Sequence, residues 1–247
     1  MTTRQFNGDE INKILNTLPI GTWPFPRVLV GILLERTIGH ADEVFFPFMN
    51  IAAQGPAFLQ IPYGRTDMVR NRMATELLKS DFTHLLMLDI DHIHPMNIVQ
   101  LLSRWVLMDA DKYEVVGGLN FRRSAPFEPC AFYANEHGIF APAEWDKGAL
   151  LKVDAIGTGS ILISRRVFER LEPPWFFNLY DDIWRDNWPG EDIGFSQLCR
   201  DNGIGMWVDT ETTSPHITNA RVTEETFRAH NEKMQKKIVS AESVGLK

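Results

Sequence analysis

Two short, almost wholly apolar runs dominate the first third of the chain: residues 27–34, RVLVGILL, and residues 83–88, THLLML. A strand with one wet face alternates apolar and polar residues. These runs do not alternate, so they fit strands covered on both faces, as parallel strands are. The second run passes directly into Asp89-Ile90-Asp91. Helical patterns flank it. Thr66 can cap the first helix, Asp67 sits in its first turn, and Val69, Met73 and Leu77 recur every fourth residue. The second is expected to open near Pro95, with Ile98, Leu101, Leu102, Trp105 and Val106 as its apolar stripe. Strands alternating with helices predict an α/β fold, an open and mostly parallel sheet with helices on both faces. Ligands in such folds sit beyond the carboxyl ends of the strands, where the two acids fall.

The remaining segments divide the chain into three parts. Residues 1–26 read as an N-terminal helix and linker. Ile11, Ile14, Leu15 and Leu18 have helical spacing, Asp9 and Glu10 suit the positive end of the helix, and LPIGTWPFP follows. Residues 27–220 form the main domain. It includes short apolar stretches at 44–61 broken by Pro47, Gly55 and Pro56, and a strand at 114–116 followed by two glycines. A looser section, 120–150, precedes a strand at 150–156 and the turn Gly157-Thr158-Gly159-Ser160, after which a strand or short helix is expected. A helix at 191–202 and a strand at 204–208 precede His216. Residues 221–247 read as a polar helical tail.

Composition disfavours some partners without excluding them. The 247 residues carry a formal net charge of −7, whereas nucleic-acid binders draw most of their affinity from basic side chains on phosphates. The start MTTRQFNGDE has no apolar core of a signal peptide, and no run nears the roughly 20 apolar residues of a membrane span. The expected location is the cytoplasm. The two cysteines, Cys130 and Cys199, lie in no C-x-x-C motif and read as reduced thiols.

In an extended segment residues two apart point the same way, so Asp89 and Asp91 can face one site. Two hard oxygen ligands beside phosphate oxygens suit Mg²⁺ or Mn²⁺. By itself such a pair also fits a turn or a helix cap. His92 and His94 read as hydrogen-bonded loop histidines or as further ligands. Gly190-Glu191-Asp192 opens a helix, either as acids favoured by its dipole or as carboxylates presented to a site. His216, in SPHIT, is a metal ligand or a structural residue.

In order, the segments RVLVGI, RTDMVRNRMA, THLLMLDID, VVGGLNFRR, VDAIGTGSILISRRVFE, GEDIGFSQLCRDNG and MWVDTETTSPHI resemble the GT-A glycosyltransferases, specifically small bacterial and phage members related to glycosyltransferase family 2. The resemblance spans residues 27–217. It implies a GT-A (nucleotide-diphospho-sugar transferase) Rossmann-like fold. Asp89 and Asp91 would then hold a divalent ion, Mn²⁺ or Mg²⁺, on a nucleotide diphosphate, with Asp91 the more direct ligand and His216 completing the site. Arg65, Asp67, Arg70 and Asn71 would flank the nucleotide, and Asp192 would be the general base. The chain departs from the family pattern in Leu33, Leu34 and Glu35, which leaves base recognition open.

The resemblance implies a sugar transfer from a nucleotide-sugar, expected to be a UDP-sugar, onto a glycan, lipid-linked, protein or modified nucleic-acid acceptor, with inversion expected. Gly157, Thr158 and Gly159 would let backbone approach the donor. Arg65 and Arg70 would contact phosphate or else pair at the surface with Asp67 or Glu76, and Arg122 and Arg123 would flank the diphosphate or remain solvated. Trp184 and Trp188, among Asp181, Asp182 and Asp186, offer an acceptor surface beside Glu191, or pack an irregular loop. Two other readings stand beside this one. A nucleotidyltransferase would carry a Gly- and Lys-rich N-terminal loop that GILLERTIGH lacks. A non-catalytic carbohydrate-binding protein would not need Asp89, Asp91, Asp192 and His216 together.

Overall fold

Alternate residues of the central strands enter two different hydrophobic cores, which is what continuous apolar runs require. In β1 (Val28–Leu33), Leu29 packs on one side while Val28, Val30 and Ile32 pack on the other. The computed structural model describes residues 5–33, 46–61, 64–136, 140–179, 190–217 and 221–243. Before β1, α1 (Gly8–Thr17) is held by a reciprocal capping box between Asn7 and Glu10. After it come α2 (Phe46–Ala53), β2 (Ala57–Ile61), α3 (Thr66–Lys79), β3 (His84–Asp89), α4 (Ile98–Met108) and β4 (Val115–Leu119). A small sheet and the rest of the main one follow: β5 (Ala131–Ala134), β6 (Phe140–Pro142), β7 (Leu150–Val153), β8 (Ala155–Ile156) and β9 (Ser160–Ser164). The chain continues through α5 (Arg165–Arg170), α6 (Glu191–Asp201), β10 (Met206–Thr213), β11 (His216–Ile217), β12 (Arg221–Val222) and α7 (Glu224–Ser243).

The main sheet has seven strands in the order β2-β1-β3-β9-β4-β10-β7. β2, β1, β3, β4 and β10 run in one direction, and β9 and β7 oppose them. Leu85, Met87, Ile161 and Ile163 face α3, α5 and α6, against Met73, Leu77, Phe168 and Phe195. Leu86, Leu88 and Leu162 face α1 and α4, against Ile11, Ile14, Ile98 and Leu102. The fold is therefore mixed α/β, a mostly parallel sheet flanked by helices. Among the described residues no helix is long and apolar enough to cross a membrane.

Several local expectations are corrected. Thr66 does not cap α3. Arg65 is the extended residue at the N-cap, it makes no side-chain cap bond, and Thr66 is already helical. Pro95 lies three residues ahead of α4 and accepts the amide of Ile98 through its carbonyl. The stretch broken by Pro47 holds a helix, α2, because proline is tolerated in a first turn where its missing N–H has no partner. The strand expected at 150–156 is split at Asp154, where the chain leaves the main sheet for the small one. The strand expected at 204–208 continues to Thr213.

α6 approaches the Phe177 segment closely. A Cβ on Gly194 would lie 1.9 Å from the Phe177 carbonyl oxygen, a distance that forces backbone to move. Gly194→Ala is expected to lower stability by about 1–3 kcal/mol, the range for overpacking. Urea unfolding measures it, and an unchanged midpoint would contradict this account of how α6 is seated.

Candidate active site

β3 delivers Asp89 at its last residue, and the chain then turns. The backbone leaves the extended conformation at once, so Asp89 and Asp91 do not share a face as a continued strand would require. Each meets different partners.

Asp89 belongs to a buried clamp. Arg70, from α3, is 2% exposed, and its Nη2 donates to both Asp89 oxygens at 2.9 and 3.0 Å. Its Nε donates to Glu191 Oε1 at 3.0 Å, and Nη1 donates to the Thr158 carbonyl at 3.3 Å. Burial works against the guanidinium charge, but the two carboxylates outweigh it and the pKa is raised. One side chain thus ties α3, the end of β3, the Gly157–Gly159 turn and the start of α6. The Asp89 amide donates to the Gly159 carbonyl at 3.0 Å, and His94 Nε2 donates to the Asp89 carbonyl at 2.8 Å.

Asp91 belongs to a different cluster. The Ile93 amide donates to the Pro215 carbonyl at 2.9 Å, and the Ile217 amide donates to the Asp91 carbonyl at 2.7 Å. This pairing, which includes a His92–His216 bridge, brings β11 onto the turn after β3. Asp91 Oδ1 lies 3.0 Å from His92 Nδ1, and Oδ2 lies 3.0 Å from His216 Nε2. The imidazole rings stack with centroids 4.1 Å apart. Burial raises the Asp91 pKa, but the hydrogen bonds and charges of His216 and His92 outweigh that and hold it well below the usual carboxylate range. For His216, burial works downward while Asp91 and the Phe121 carbonyl work upward, and the net pKa is raised. Arg123, largely exposed, reaches Asp91 Oδ2 at 3.4 Å.

The donor set suits a metal. Asp91, His92 and His216 offer ligand atoms within 4.8 Å of one another. His216 Nδ1 lies 3.0 Å from the Phe121 carbonyl oxygen, which can only accept, so that nitrogen carries a proton. Nε2 then faces a carboxylate oxygen at 3.0 Å, and two lone pairs would repel there. A proton or a metal cation must lie between them. A carbonyl fixing the far nitrogen is the usual way a metal-binding histidine is oriented. Two imidazoles and one carboxylate suit Mn²⁺ better than Mg²⁺, which favours all-oxygen sites.

His92 and His216 of this cluster border a cleft of about 760 Å³ together with the Arg70–Asp89 clamp. Arg70, Asp89, His92, Arg122, Arg123, Gly157, Thr158, Gly159, Glu191, Asp192 and His216 line it. Arg122 pairs with Glu128 at 3.2 Å. Asp192, in the first turn of α6, has its pKa pushed up to about 6, first by burial and then by the adjacent Glu191 charge. Gly159 has no left-handed φ, and its role is close packing, since a Cβ there would lie 2.9 Å from the His92 ring. Gly157 similarly makes room for Cys130. Both cysteines are free thiols, and burial pushes the Cys130 pKa up to about 12.

Three residues expected near the nucleotide do not line this cleft. Arg65 pairs with Asp67 at 2.6 Å. Asn71 donates to the Asp67 and Phe176 carbonyls and accepts from the Trp175 and Phe176 amides, so it fastens the segment after α5 to α3. Trp184 and Trp188 lie outside the described residues. The sequence left His92 as a loop histidine or a further ligand, and the structure sets it against Asp91 and His216. Its signal was its place directly after the D-x-D acids.

No protein-family model matches the chain, and no curated protein does. Among solved structures it is similar to A197 from STIV, with a TM-score of 0.55 and 16% identity over 78% of this chain and 86% of that one. It also aligns with GalNAc-T7 with UDP, GalNAc and Mn²⁺, at a TM-score of 0.48 and 12% identity, covering 83% of this chain and 47% of that one. A third match is apo UDP-glucose pyrophosphorylase, at a TM-score of 0.40 and 6% identity over 85% of this chain and 82% of that one. At these identities the likeness to A197 shows a shared fold.

Arg70→Ala would leave the Asp89 and Glu191 carboxylates half-buried and unpaired. It is expected to cost about 3–5 kcal/mol, the range for breaking a buried pair. Chemical denaturation tests this, and a loss typical of a surface ion pair would show that the clamp does not anchor the site.

Proposed function

We propose that the protein is a metal-dependent glycosyltransferase that takes a sugar from a nucleotide-sugar, a UDP-sugar for preference, and passes it with inversion to an acceptor hydroxyl. The observation that carries this reading is the Asp91–His92–His216 cluster beside a cleft that also takes in Asp192, at the carboxyl ends of the parallel strands. Placement within glycosyltransferase family 2 is part of the proposal and rests on the sequence motifs alone.

Asp91 and His216, joined by His92, would hold Mn²⁺. When bound, the ion would supply Lewis-acid stabilisation to a leaving diphosphate. Asp89 is better suited to fixing Arg70 than to ligating the ion, since Arg70 already takes both of its oxygens. Arg122 and Arg123 line the same cleft and would meet diphosphate oxygens. Thr158 and the flanking glycines offer backbone to the donor. Trp184, Trp188 and Glu191 remain proposals for the acceptor side.

Asp192 would accept the proton of the attacking hydroxyl. A base is most effective when its pKa lies near but below the working pH, and a value of about 6 meets that condition. Burial accounts for the elevation, which runs against the helix dipole that by itself would favour the charged form.

Two outcomes are expected. Because the base must be ionised, turnover should fall on the acid side of about pH 6, and Asp192→Asn should lose about 10²–10⁴-fold in kcat while nucleotide binding is kept. Steady-state kinetics and product anomeric NMR would decide it. A normal rate in the Asn variant, or retained configuration, would remove Asp192 from this role.

Metal affinity should also rise with pH. A protonated His216 cannot ligate, and its raised pKa extends the competition from protons above the ordinary imidazole range. Affinity for Mn²⁺ should level off only above that raised value. Asp91→Ala should abolish Mn²⁺-dependent UDP binding, and His216→Ala should weaken it and flatten its pH response. Calorimetry across pH tests both, and wild-type affinity in the Asp91 variant would refute the metal site.

A further inference from the structure

We infer that Asn120 is a substrate-binding residue whose side-chain amide donates a hydrogen bond to an oxygen of the bound nucleotide-sugar, a diphosphate oxygen or a sugar hydroxyl. The inference rests on the transferase reading and adds a contact to it. Asn120 directly follows β4 and is 2% exposed. Its Oδ1 accepts from Ser160 Oγ at 3.2 Å, and its backbone carbonyl accepts from the Cys130 amide at 2.8 Å, so the protein fixes its position. Its Nδ2 is buried with no hydrogen-bond partner. A buried donor without an acceptor is a free-energy cost that folded proteins rarely carry without reason. Among the described residues that share this state, Asn120 is the one that lines the cleft.

Gly159 provides the second observation. A Cβ at this position would lie 3.1 Å from Asn120 Nδ2 and 3.0 Å from His92 Nε2. Its φ is one that any residue adopts, and its carbonyl is already bound by the Asp89 amide at 3.0 Å. A side chain at Gly159 would therefore crowd both the amide donor and the His92 ring, so the glycine keeps the donor uncovered beside the metal-ligand cluster. The shape and the donor suit an oxygen acceptor. A cation would find no lone pair on an amide N–H.

The test is calorimetry with Mn²⁺ on the full chain, using UDP and UDP-glucose as probes, for wild type and Asn120→Ala. The variant removes the donor. If the contact is to a diphosphate oxygen, the variant should weaken UDP by about 10- to 100-fold, the range for a hydrogen bond to a charged group. If it is to a sugar hydroxyl, UDP should bind as in wild type and UDP-glucose should weaken by about 3- to 10-fold. Either result supports the inference and says which oxygen is held. Ligand-free melting of Asn120→Ala should fall, since the buried Ser160 hydroxyl loses its acceptor. If that variant fails to fold, Asn120→Asp keeps the acceptor toward Ser160 and removes the donor. Folded variants that bind both probes with wild-type affinity would overturn the inference and leave the transferase reading intact. A wild-type chain that binds neither probe would overturn both.

Discussion

The site depends on burying one guanidinium. Removing Arg70 from water costs several kcal/mol unless its charge and donors are met in place. Asp89 and Glu191 meet the charge, and the Thr158 carbonyl takes a remaining donor. Those partners come from β3, α6 and the turn before β9, segments far apart in sequence. Because an unmatched charge would be so unfavourable, the three must converge on α3 together. The convergence sets the cleft walls and the position of Asp192, one residue after Glu191. It also leaves Asp89 engaged, so that the neighbouring Asp91 carries the histidine cluster.

The histidines divide by what their far nitrogens touch. His94 has both nitrogens committed, Nδ1 to Ser214 Oγ at 2.9 Å and Nε2 to the Asp89 carbonyl at 2.8 Å. Burial pushes its pKa down to about 3, and as a neutral tie it closes the loop around the strand end. His216 also has one nitrogen on a carbonyl, but its other faces a carboxylate. That difference, not sequence position, separates a structural histidine from a ligand candidate. His92 and His94 are equivalent in the sequence pattern, and they differ only once β11 pairs with the turn after β3.

What the sequence revealed follows the range of the interaction involved. The two-faced strands were legible because burial on both sides leaves a continuous apolar run. Asp91 was legible because it follows such a run directly. The partnership of Asp91 with His216 joins residues 125 positions apart through backbone pairing, and no periodicity encodes that; the family resemblance alone suggested it. Asn71 shows the opposite failure. Its place in an Arg-Asn helix pointed to the nucleotide, but its amide is consumed by the backbone of Trp175 and Phe176. Helix α2 was hidden because Pro47 and an almost wholly apolar sequence resemble a broken strand.

Two carboxylates beside one cleft are driven in opposite directions by what surrounds them. Asp91 lies between two imidazoles, and these partners keep it ionised despite burial. Asp192 is buried beside Glu191, and that like charge adds to desolvation. Separated acidities of this kind are how one site assigns different work to chemically identical groups. In the proposed reaction, the strongly ionised Asp91 suits a permanent cation and would be a poor proton acceptor. Asp192 has the reverse character: it gives up its proton at neutral pH and can take one back as the acceptor hydroxyl attacks. Exchanging the two environments would lose both functions without changing a single residue type. The roles therefore reside in the burial and neighbours that the Arg70 clamp and the β11 pairing impose.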